Sequence, residues 1–556
     1  MAALVGMCPP DTELLHRKPL LARQGHVDRA KRQGADGDGL AWAEEPAVAE
    51  IYSHSKEDAV LSDRRVFWAD LHNHNEIGYG RGSLARAIEV AREQLDVFCF
   101  TPHGQWFDEA NTPPEVHRKH QEGFERVRQS WDQVRAQLEA AYVPGSFVTF
   151  LGHEWHSSNL GDYHVVYPGP DHRISYFDDI RLLQQYVHQQ GAIMVPHHVA
   201  YARGSRGIAW EYFDPAVSPV VEIFSEHGSS ETEWGPWPMM GHSMGPASTT
   251  QTIAHALEQG LVFGFTASTD DHLGYPGAYG EGMTGVLAEE LTRESVFEAL
   301  RSRHTYAVTG DRIGLDFQLD EAPMGSLLPA RNDRLLRVTV RLEDEPVAVE
   351  MVKNGRVWRR LLCESPIRGP AADAEWVEFV LRVEWGWGGM GSEAVVDWLM
   401  RLTVTQGEIV AVTPHFQSGP YDEVRRNRVL ERTPTFCAWQ SYTSRRQAFR
   451  GVATNSLLFT IRARAQAELL LETEKPSARR VRTTVAEAFA ANHVERMGSS
   501  FSAETLLVHR ALPVTDLERT WHLCDREAER ERDYYYVRVQ QRNGHMAWSS
   551  PIWVGG

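Results

Sequence analysis

The chain has 556 residues, more than one hydrophobic core usually serves, so its length predicts two domains plus extensions. Hydrophobic residues make up 42% and charged residues 24%, which is typical of a globular protein. The formal charge of −18 argues against a nucleic-acid partner, because nucleic-acid-binding proteins usually carry a basic face.

The five cysteines are odd in number and form no Cys-x-x-Cys pair. This usage predicts a reducing compartment and argues against a disulfide framework or a cysteine zinc site. The N-terminus lacks the charged start and apolar run of a secretory signal, and no stretch approaches the roughly 18 to 20 apolar residues of a membrane span. We therefore expect a cytoplasmic protein with no membrane partner.

Three regions follow one another along the chain. We predict that residues 1–60 form an N-terminal arm. The glycine-rich stretch 34–39 is flexible, and the charged segments around it show no periodic pattern of apolar residues. We predict that residues 61–312 form a catalytic domain and that residues 313–556 form a β-rich domain. Either the arm or the β-rich domain offers a surface for oligomer formation.

Between residues 65 and 310, short apolar runs alternate with amphipathic segments. Leu84, Ala87 and Ala91 lie at helical spacing, and Ser83 precedes them as a candidate N-cap. This alternation predicts an α/β domain of parallel strands, built as a barrel or distorted barrel. The predicted strands are 67–71, 97–101, 147–152, 192–195, 220–224 and 262–266, with further helices at 178–190 and 249–259.

Beyond residue 311 the alternation stops, and short strands with hairpin turns predict a β-sandwich. Two Asn-Gly pairs, Asn354-Gly355 and Asn543-Gly544, favour the backbone geometry of tight hairpins. The predicted strands are 335–342, 347–353, 377–383, 457–462 and 534–540.

Histidine or carboxylate residues follow the end of each of the six predicted strands in the α/β region. The carboxyl ends of parallel strands meet on one face, so we expect these side chains to share a centre. They are His72, His74, His103, Glu154, His197, His198, His227, Asp270, Asp271 and His272.

A single histidine at a strand end is more often a loop cap than a metal ligand. His72 and His74 carry more weight, because side chains at i and i+2 share one face of an extended strand. The pair Asp270 and His272 repeats this spacing. Six coincident strand ends therefore predict a metal site of mixed imidazole and carboxylate ligands, which suits zinc, manganese or iron(II).

Five motifs occur in the order found in one known superfamily. They are Asp70-Leu71-His72-Asn73-His74, Thr101-Pro102-His103, Gly152-His153-Glu154, Pro196-His197 and Ser268-Thr269-Asp270-Asp271-His272. This set resembles the metal motifs of the PHP (polymerase and histidinol phosphatase) superfamily. Residues 306–313, 535–539 and 547–553 are similar to the DUF3604 branch, which is related to carbaryl-hydrolase-like metallohydrolases.

The resemblance implies a distorted seven-stranded (β/α)7 barrel, followed by a β-sandwich-like C-terminal domain, and a site for one to three ions. By their positions in the motifs, the resemblance implies that the first ion is held by His72, His74, Glu154 and Asp270. The second ion is assigned to Glu154, His197 and His227, and His103 and His272 complete the cluster. His197 is preferred over His198 because it directly follows Pro196.

The chain departs from the superfamily pattern in two places. Tyr79, Gly80 and Arg81 stand where relatives carry another ligand after the His-x-His pair, and Glu76 is the nearest replacement. Pro102 also takes the middle position of the usual Thr-Asp-His. Both departures predict a site for one or two divalent ions rather than three.

Other polar residues have two possible roles. His198 is a candidate general acid or a hydrogen-bond partner of a ligand. Arg81 and Arg203 are candidate clamps for an anionic substrate, or surface residues paired with local carboxylates. The motifs lack an evident cluster of lysine and arginine, which favours a less charged substrate.

The sequence therefore predicts a hydrolase in which a metal-bound hydroxide attacks a phosphoester, carboxyl ester or carbamate of a small molecule. Two alternatives stay open, because a fold does not determine a substrate. One is a non-hydrolytic metal-dependent lyase, and the other is a binding protein with a degenerate metal site.

Overall fold

The structure is a computed structural model that describes residues 64–109, 112–239, 244–361, 375–389, 394–445, 453–498 and 503–555. The predicted N-terminal arm lies outside the described residues. Within these ranges, no helix combines the length and apolar character needed to cross a bilayer.

The first half of the described chain alternates strands and helices, as the apolar runs predict. Its strands are β1 (Arg65–Asp70), β2 (Val97–Phe100), β3 (His103–Trp106), β4 (Val148–His156), β5 (Asp162–Tyr167), β6 (Ile193–His197), β7 (Val220–Ser225), β8 (Gly228–Ser229), β9 (Gly264–Ala267), β10 (Met283–Ala288) and β11 (Thr305–Val308). Its helices are α1 (Leu84–Gln94), α2 (Pro114–Ala141), α3 (Ile180–Gln189), α4 (Ile253–Glu258) and α5 (Arg293–Arg301).

Helix α1 shows how local chemistry sets these elements. The Ser83 side chain accepts a hydrogen bond from the Arg86 backbone N–H, which satisfies one free donor of the first turn. Leu84, Ala87 and Ala91 are buried on one face. The predicted helix and its N-cap are therefore confirmed.

The second half consists mainly of strands, with two short helices, α6 (Val485–Ala490) and α7 (Val514–Leu517). Its strands are β12 (Gly314–Leu319), β13 (Ala322–Pro323), β14 (Leu327–Leu328), β15 (Arg334–Arg341), β16 (Pro346–Lys353), β17 (Arg356–Arg360), β18 (Trp376–Gly386), β19 (Val396–Val404), β20 (Gly407–His415), β21 (Arg428–Thr433), β22 (Phe436–Thr443), β23 (Thr454–Arg464), β24 (Glu468–Lys475), β25 (Arg479–Thr484), β26 (His493–Arg496), β27 (Thr505–Val508), β28 (Leu512–Pro513), β29 (Glu518–Asp525), β30 (Arg532–Gln541), β31 (Met546–Ser549) and β32 (Ile552–Gly555).

Asn354 and Gly355 form the turn between β16 and β17, as predicted. Their φ angles are +51° and +79°, the left-handed values that a tight hairpin turn requires at both central positions. Asparagine and glycine adopt these angles at the lowest cost.

A large sheet carries most of the first half, in the order β11-β10-β1-β2-β4-β5-β6. Strands β1, β2 and β4 are parallel, but β5 is antiparallel to both β4 and β6. The expectation of parallel strands is therefore wrong at β5, and also at β10, which is antiparallel to β1 and β11. Only residues 157–161 connect β4 to β5, too few for the crossover that a parallel pair needs.

Strands β7 and β9 pair in parallel in a separate three-stranded sheet with β8. The hydrogen-bonded ladders of the described first half thus belong to two sheets. On the other edge, β11 pairs with β31, so the large sheet continues into strands from the end of the chain.

Two sheets of the second half share one hydrophobic core. One has the path β20-β23-β18-β27-β26 and the other the path β21-β22-β19-β24-β25. Trp385 and Trp439, from opposite sheets, lie with ring centroids 5.7 Å apart, and both are fully buried. These sheets therefore pack face to face.

A buried ion pair joins the two halves. The Arg382 guanidinium donates to both carboxylate oxygens of Asp311 at 3.0 Å. Tyr279 and Gln541 also donate to Asp311, at 2.7 Å each. Arg382 belongs to β18 and Asp311 follows β11, so this pair links the α/β region to the β-rich region.

We expect Asp311→Ala to lower the free energy of unfolding by about 3 to 5 kcal/mol, because it leaves the buried Arg382 charge without its carboxylate. Denaturant titration measures this change. Asp132→Ala is the matched control, since Asp132 is 96% exposed and pairs with Arg135 at the surface. Equal unfolding midpoints for the two variants would contradict the role given to Asp311.

The stabilisation by the ion pair of Asp311 and Arg382 is expected to depend on pH. Burial by itself would raise the pKa of Asp311, but the Arg382 guanidinium holds it below its ordinary value. The stabilisation is therefore present above the ordinary aspartate pKa of about 3.9 and is lost as the pH falls below it. The difference between wild type and Asp311→Ala should shrink below about pH 4.

Candidate metal centre

Two extended segments lie side by side at the base of the site. The Asp270 N–H donates to the His72 carbonyl at 2.8 Å, and the His74 N–H donates to the Asp271 carbonyl at 2.8 Å. This pairing brings the two i, i+2 motifs together. His72, His74 and Asp270 consequently place ligand atoms within 4.8 Å of one another.

Asp70, the first residue of the opening motif, positions the loop that carries Asp270. Its carboxylate accepts hydrogen bonds from the Thr269 hydroxyl at 2.6 Å and from the Gly277 N–H at 2.9 Å. The carboxylate is fully buried. Asp70 therefore supports the site through the backbone and does not face its centre.

Glu154 is one of two central carboxylates. Its Oε2 atom lies 3.4 Å from His74 Nε2, 3.5 Å from His103 Nε2 and 3.8 Å from His72 Nε2. Its Oε1 atom lies 2.9 Å from His197 Nε2. Four imidazoles of the predicted ligands thus lie close to this one carboxylate, and His156 Nδ1 lies 3.2 Å from its Oε1 atom as well.

Asp270 is the second central carboxylate. Its Oδ1 atom lies 2.9 Å from His74 Nε2 and 3.3 Å from His72 Nε2, and its Oδ2 atom lies 2.9 Å from His227 Nε2. The Asp270 backbone is left-handed, with φ +56°, an angle that is uncommon for a residue other than glycine. Backbone strain of this kind is found mainly at functional sites.

All eight residues proposed as metal ligands lie in this one cluster. The four assigned to the first ion meet around Glu154 Oε2 and Asp270 Oδ1. Of the second set, His197 contacts Glu154, whereas His227 contacts Asp270 instead. His197 faces Glu154 directly, while His198 points toward Asp162, with 3.5 Å between Nε2 and Oδ2.

The remaining histidine pair lies on the outer side of His74. His103 Nε2 and His272 Nε2 are 3.2 Å apart, and His272 is the most exposed member, with 35% of its side chain accessible. Tyr79 stacks on His103 with ring centroids 3.5 Å apart. Glu76, the predicted replacement, is exposed.

The antiparallel strand β5 adds groups that the sequence did not reveal. Asp162 is fully buried, and its Oδ2 atom lies 3.0 Å from His156 Nδ1. The Arg206 guanidinium pairs with Asp162 and lies 3.6 Å from Glu154 Oε1. The sequence shows no evident cluster of lysine and arginine around the motifs, but the loop after β6 brings one arginine, Arg206, to them.

Outer partners orient several of the imidazoles. His72 Nδ1 lies 3.2 Å from Glu222 Oε2, and His227 Nδ1 lies 2.7 Å from the Tyr201 hydroxyl. Glu222 is a carboxylate within the apolar strand β7, and that position is the signal by which the sequence could have revealed it. His164 Nδ1 lies 3.3 Å from His197 Nδ1.

The electrostatics of the cluster fit a bound cation. Burial lowers the pKa of His74 to about 3, and burial also holds that of His103 well below its ordinary value, so both rings are neutral and offer lone pairs. Burial by itself lowers the pKa of His72, but Asp270 and Glu222 raise it to about 9. The carboxylates of Asp270 and Glu222 therefore favour a positive charge beside the His72 ring.

The hydrogen bonding of the ligand atoms gives a second test of whether these residues fit a metal ion. Glu154 Oε2 and His156 Nε2 are buried and have no hydrogen-bond partner among the described residues. His72 Nε2 and His74 Nε2 face each other at 3.2 Å. Facing nitrogens and an unpaired carboxylate oxygen are the arrangement that a divalent ion satisfies, so the residues present fit such an ion.

The two candidate catalytic residues differ in placement. His198 is buried, and neither ring nitrogen has a hydrogen-bond partner among the described residues. Arg81 is exposed, and its backbone N–H donates to the His272 carbonyl at 2.8 Å, which places it at the rim. Arg203 instead pairs with Glu211 at the surface.

Comparison with known proteins gives partial matches. The family model of DUF3604, a protein family of unknown function, matches residues 275–319, which include Tyr279 and Asp311. An uncharacterized protein of Chlamydia pneumoniae is 35% identical over 181 residues, or 30% of this chain and 29% of that protein. An uncharacterized protein of Chlamydia trachomatis is 38% identical over 133 residues, or 22% of this chain and 21% of that protein.

The chain thus aligns with less than a third of the length of these curated relatives. Among solved structures, it is similar to a two-domain protein from Bacteroides vulgatus that contains a predicted PHP-like metal-dependent phosphoesterase. That similarity covers 56% of this chain and 83% of the other, at 15% identity and a TM-score of 0.33.

We expect Glu222→Gln to weaken metal binding about 10- to 100-fold, because it removes the carboxylate that orients His72. Competition with a chromogenic chelator measures the affinity. Glu211→Gln is the matched control, since Glu211 is 54% exposed and pairs with Arg203. If both variants bind metal as tightly as wild type, Glu222 does not support the site.

Proposed function

We propose that this protein is a metal-dependent hydrolase of the PHP superfamily, in the DUF3604 branch, that acts on an ester bond of a small molecule. The observation that carries the proposal is the cluster of six imidazoles around Glu154 and Asp270. The proposal includes a distorted barrel over residues 61–312 and a β-sandwich-like domain over residues 313–556. It also places the protein in the cytoplasm.

The geometry of the cluster supports a division of the proposed ligands between two ions. His72, His74, Glu154 and Asp270 would hold one divalent ion, and Glu154, His197 and His227 would hold a second, with Asp270 beside His227. Zinc, manganese and iron(II) suit these donors. When bound, such ions lower the pKa of water and polarise the ester oxygen under attack.

The protein's own groups have separate tasks. Glu154 and Asp270 hold six imidazoles in place, and the burial of the cluster limits access by bulk solvent. His198 has two ring nitrogens free of hydrogen bonds among the described residues, so it is the proposed proton donor to the leaving group. Arg81 at the rim attracts anionic substrates.

The first test combines metal analysis with an ester screen. We expect wild-type protein to contain metal and to hydrolyse a phosphate, carboxylate or carbamate ester, whereas His72→Ala/His74→Ala loses both properties and stays folded. His117→Ala/His493→Ala is the matched control, because both histidines are about half exposed and lie outside the cluster.

Isotope labelling and metal analysis separate the hydrolase from the lyase and from the binding protein. Hydrolysis in oxygen-18 water places solvent oxygen in one product, and a lyase reaction does not. A wild-type protein that neither contains metal nor takes it up would contradict both enzyme functions and favour a binding protein.

A second test concerns His198. We expect His198→Gln to reduce kcat about 100-fold or more for an alkyl ester, whose leaving group needs a proton, and much less for a nitrophenyl ester. Metal content should not change. An equal loss of kcat on both esters would remove His198 from proton transfer.

A further inference from the structure

Arg206 is a largely buried cation beside the metal cluster, and no motif pointed to it. Its side chain is 14% exposed. Its Nε atom donates to Asp162, and its Nη2 atom lies 3.6 Å from Glu154 Oε1. The guanidinium carbon lies 5.1 Å from the centroid of the Trp106 ring, which covers one face of the group.

The backbone holds Arg206 in this place. Its φ angle is +69°, an unfavourable left-handed value for arginine. The Arg206 N–H donates to the carbonyl of Ser158, which lies in the β4–β5 connection, at 3.0 Å. At Gly207, an added Cβ would lie 1.7 Å from the Tyr201 carbonyl oxygen, so the loop closes only with glycine there. The strained angle is thus imposed by a tightly packed loop.

One end of the guanidinium has no strong acceptor. The Nε and Nη2 atoms are committed to Asp162, but Nη1 donates to the sulfur of Met244 at 3.5 Å. A thioether is a weak acceptor. Nη1 therefore retains N–H groups that can bind an oxygen anion while the pair with Asp162 stays intact.

A purely structural role would not require this arrangement. An arginine that only neutralised Asp162 would gain from an oxygen acceptor at both terminal nitrogens, as Arg382 does, whose Nη1 donates to the Tyr279 hydroxyl at 2.8 Å and whose Nη2 donates to Asp311 at 3.0 Å. Arg203, three residues earlier, pairs with exposed Glu211 and points away from the cluster. The chain therefore holds Arg206 alone, of these two arginines, next to the central carboxylates.

We propose that Arg206 binds an anionic oxygen of the substrate, or the oxyanion that develops on it, and is thus a catalytic residue of this site. The inference rests on the proposed function, since it names a substrate contact at the same centre. Asp162 fixes the guanidinium, and Nη1 presents the donors.

The test measures binding of inorganic phosphate to metal-loaded protein by calorimetry, followed by kinetics on whichever ester the screen identifies. The variants are Arg206→Ala, Arg206→Lys and, as matched control, Arg203→Ala. We expect Arg206→Ala to bind phosphate about 10- to 100-fold more weakly, because it loses charge-assisted hydrogen bonds. Arg203→Ala should bind as wild type does.

Arg206→Ala also leaves buried Asp162 without its partner, so its fold and metal content are measured alongside. Arg206→Lys keeps the charge and covers the case in which the alanine variant does not fold. We expect it to bind phosphate more weakly than wild type, since lysine lacks the planar fork. Added guanidinium should restore part of the activity of Arg206→Ala.

Wild-type phosphate affinity in both Arg206 variants, with metal content unchanged, would overturn the inference. That result leaves the proposed function intact if the wild-type protein hydrolyses an ester. A wild-type protein that binds metal and phosphate but hydrolyses no ester would instead contradict the proposed function while the role of Arg206 in anion binding stands.

Discussion

Glu154 and Asp270 are carboxylates buried at the centre of the α/β region, and the cost of burying them constrains everything around them. An unpaired buried carboxylate costs several kcal/mol, so positive charge must lie close to each one. Six imidazoles of the predicted ligands, the His156 imidazole and the Arg206 guanidinium meet this requirement in part. His74 and His103 are neutral and offer lone pairs, so a bound cation would find ligand nitrogens as well as the two carboxylates here.

The topology of the strands supplies these partners from distant parts of the chain. The parallel strands β1, β2 and β4 end at one edge, which brings His72, His103 and Glu154 together. The antiparallel strand β5 then places Asp162 opposite His197. Asp162 in turn holds Arg206, so one short hairpin both extends the charge network and positions the proposed substrate contact.

The sequence predicts the parts of the site that depend on local spacing. His72 with His74, and Asp270 with His272, share faces because i and i+2 side chains do so in extended chain. Helix α1 and the Asn354-Gly355 turn follow from an N-cap serine and from residues that tolerate left-handed angles. These features depend on neighbours a few residues apart.

The other features of the site depend on contacts between residues that are far apart in the chain, and the spacing of residues along the sequence does not encode these contacts. Arg206 and Arg203 lie in one polar loop, and the sequence alone does not distinguish the buried residue from the exposed one. Strand β5 begins with Asp162 and lacks a continuous apolar run, so its antiparallel insertion was missed. His227 was grouped with Glu154 and His197 around the second ion, and its contact with Asp270 was not foreseen, because side-chain direction at a loop cannot be read from order along the chain.

Anomalous X-ray diffraction at the absorption edge of the metal, from crystals of metal-loaded protein, tests the central claim most directly. The account predicts anomalous peaks within coordination distance of Glu154 and Asp270, with His72 and His74 as ligands of one ion. Loaded crystals with no anomalous peak between these two carboxylates, or with metal bound only elsewhere, would contradict it.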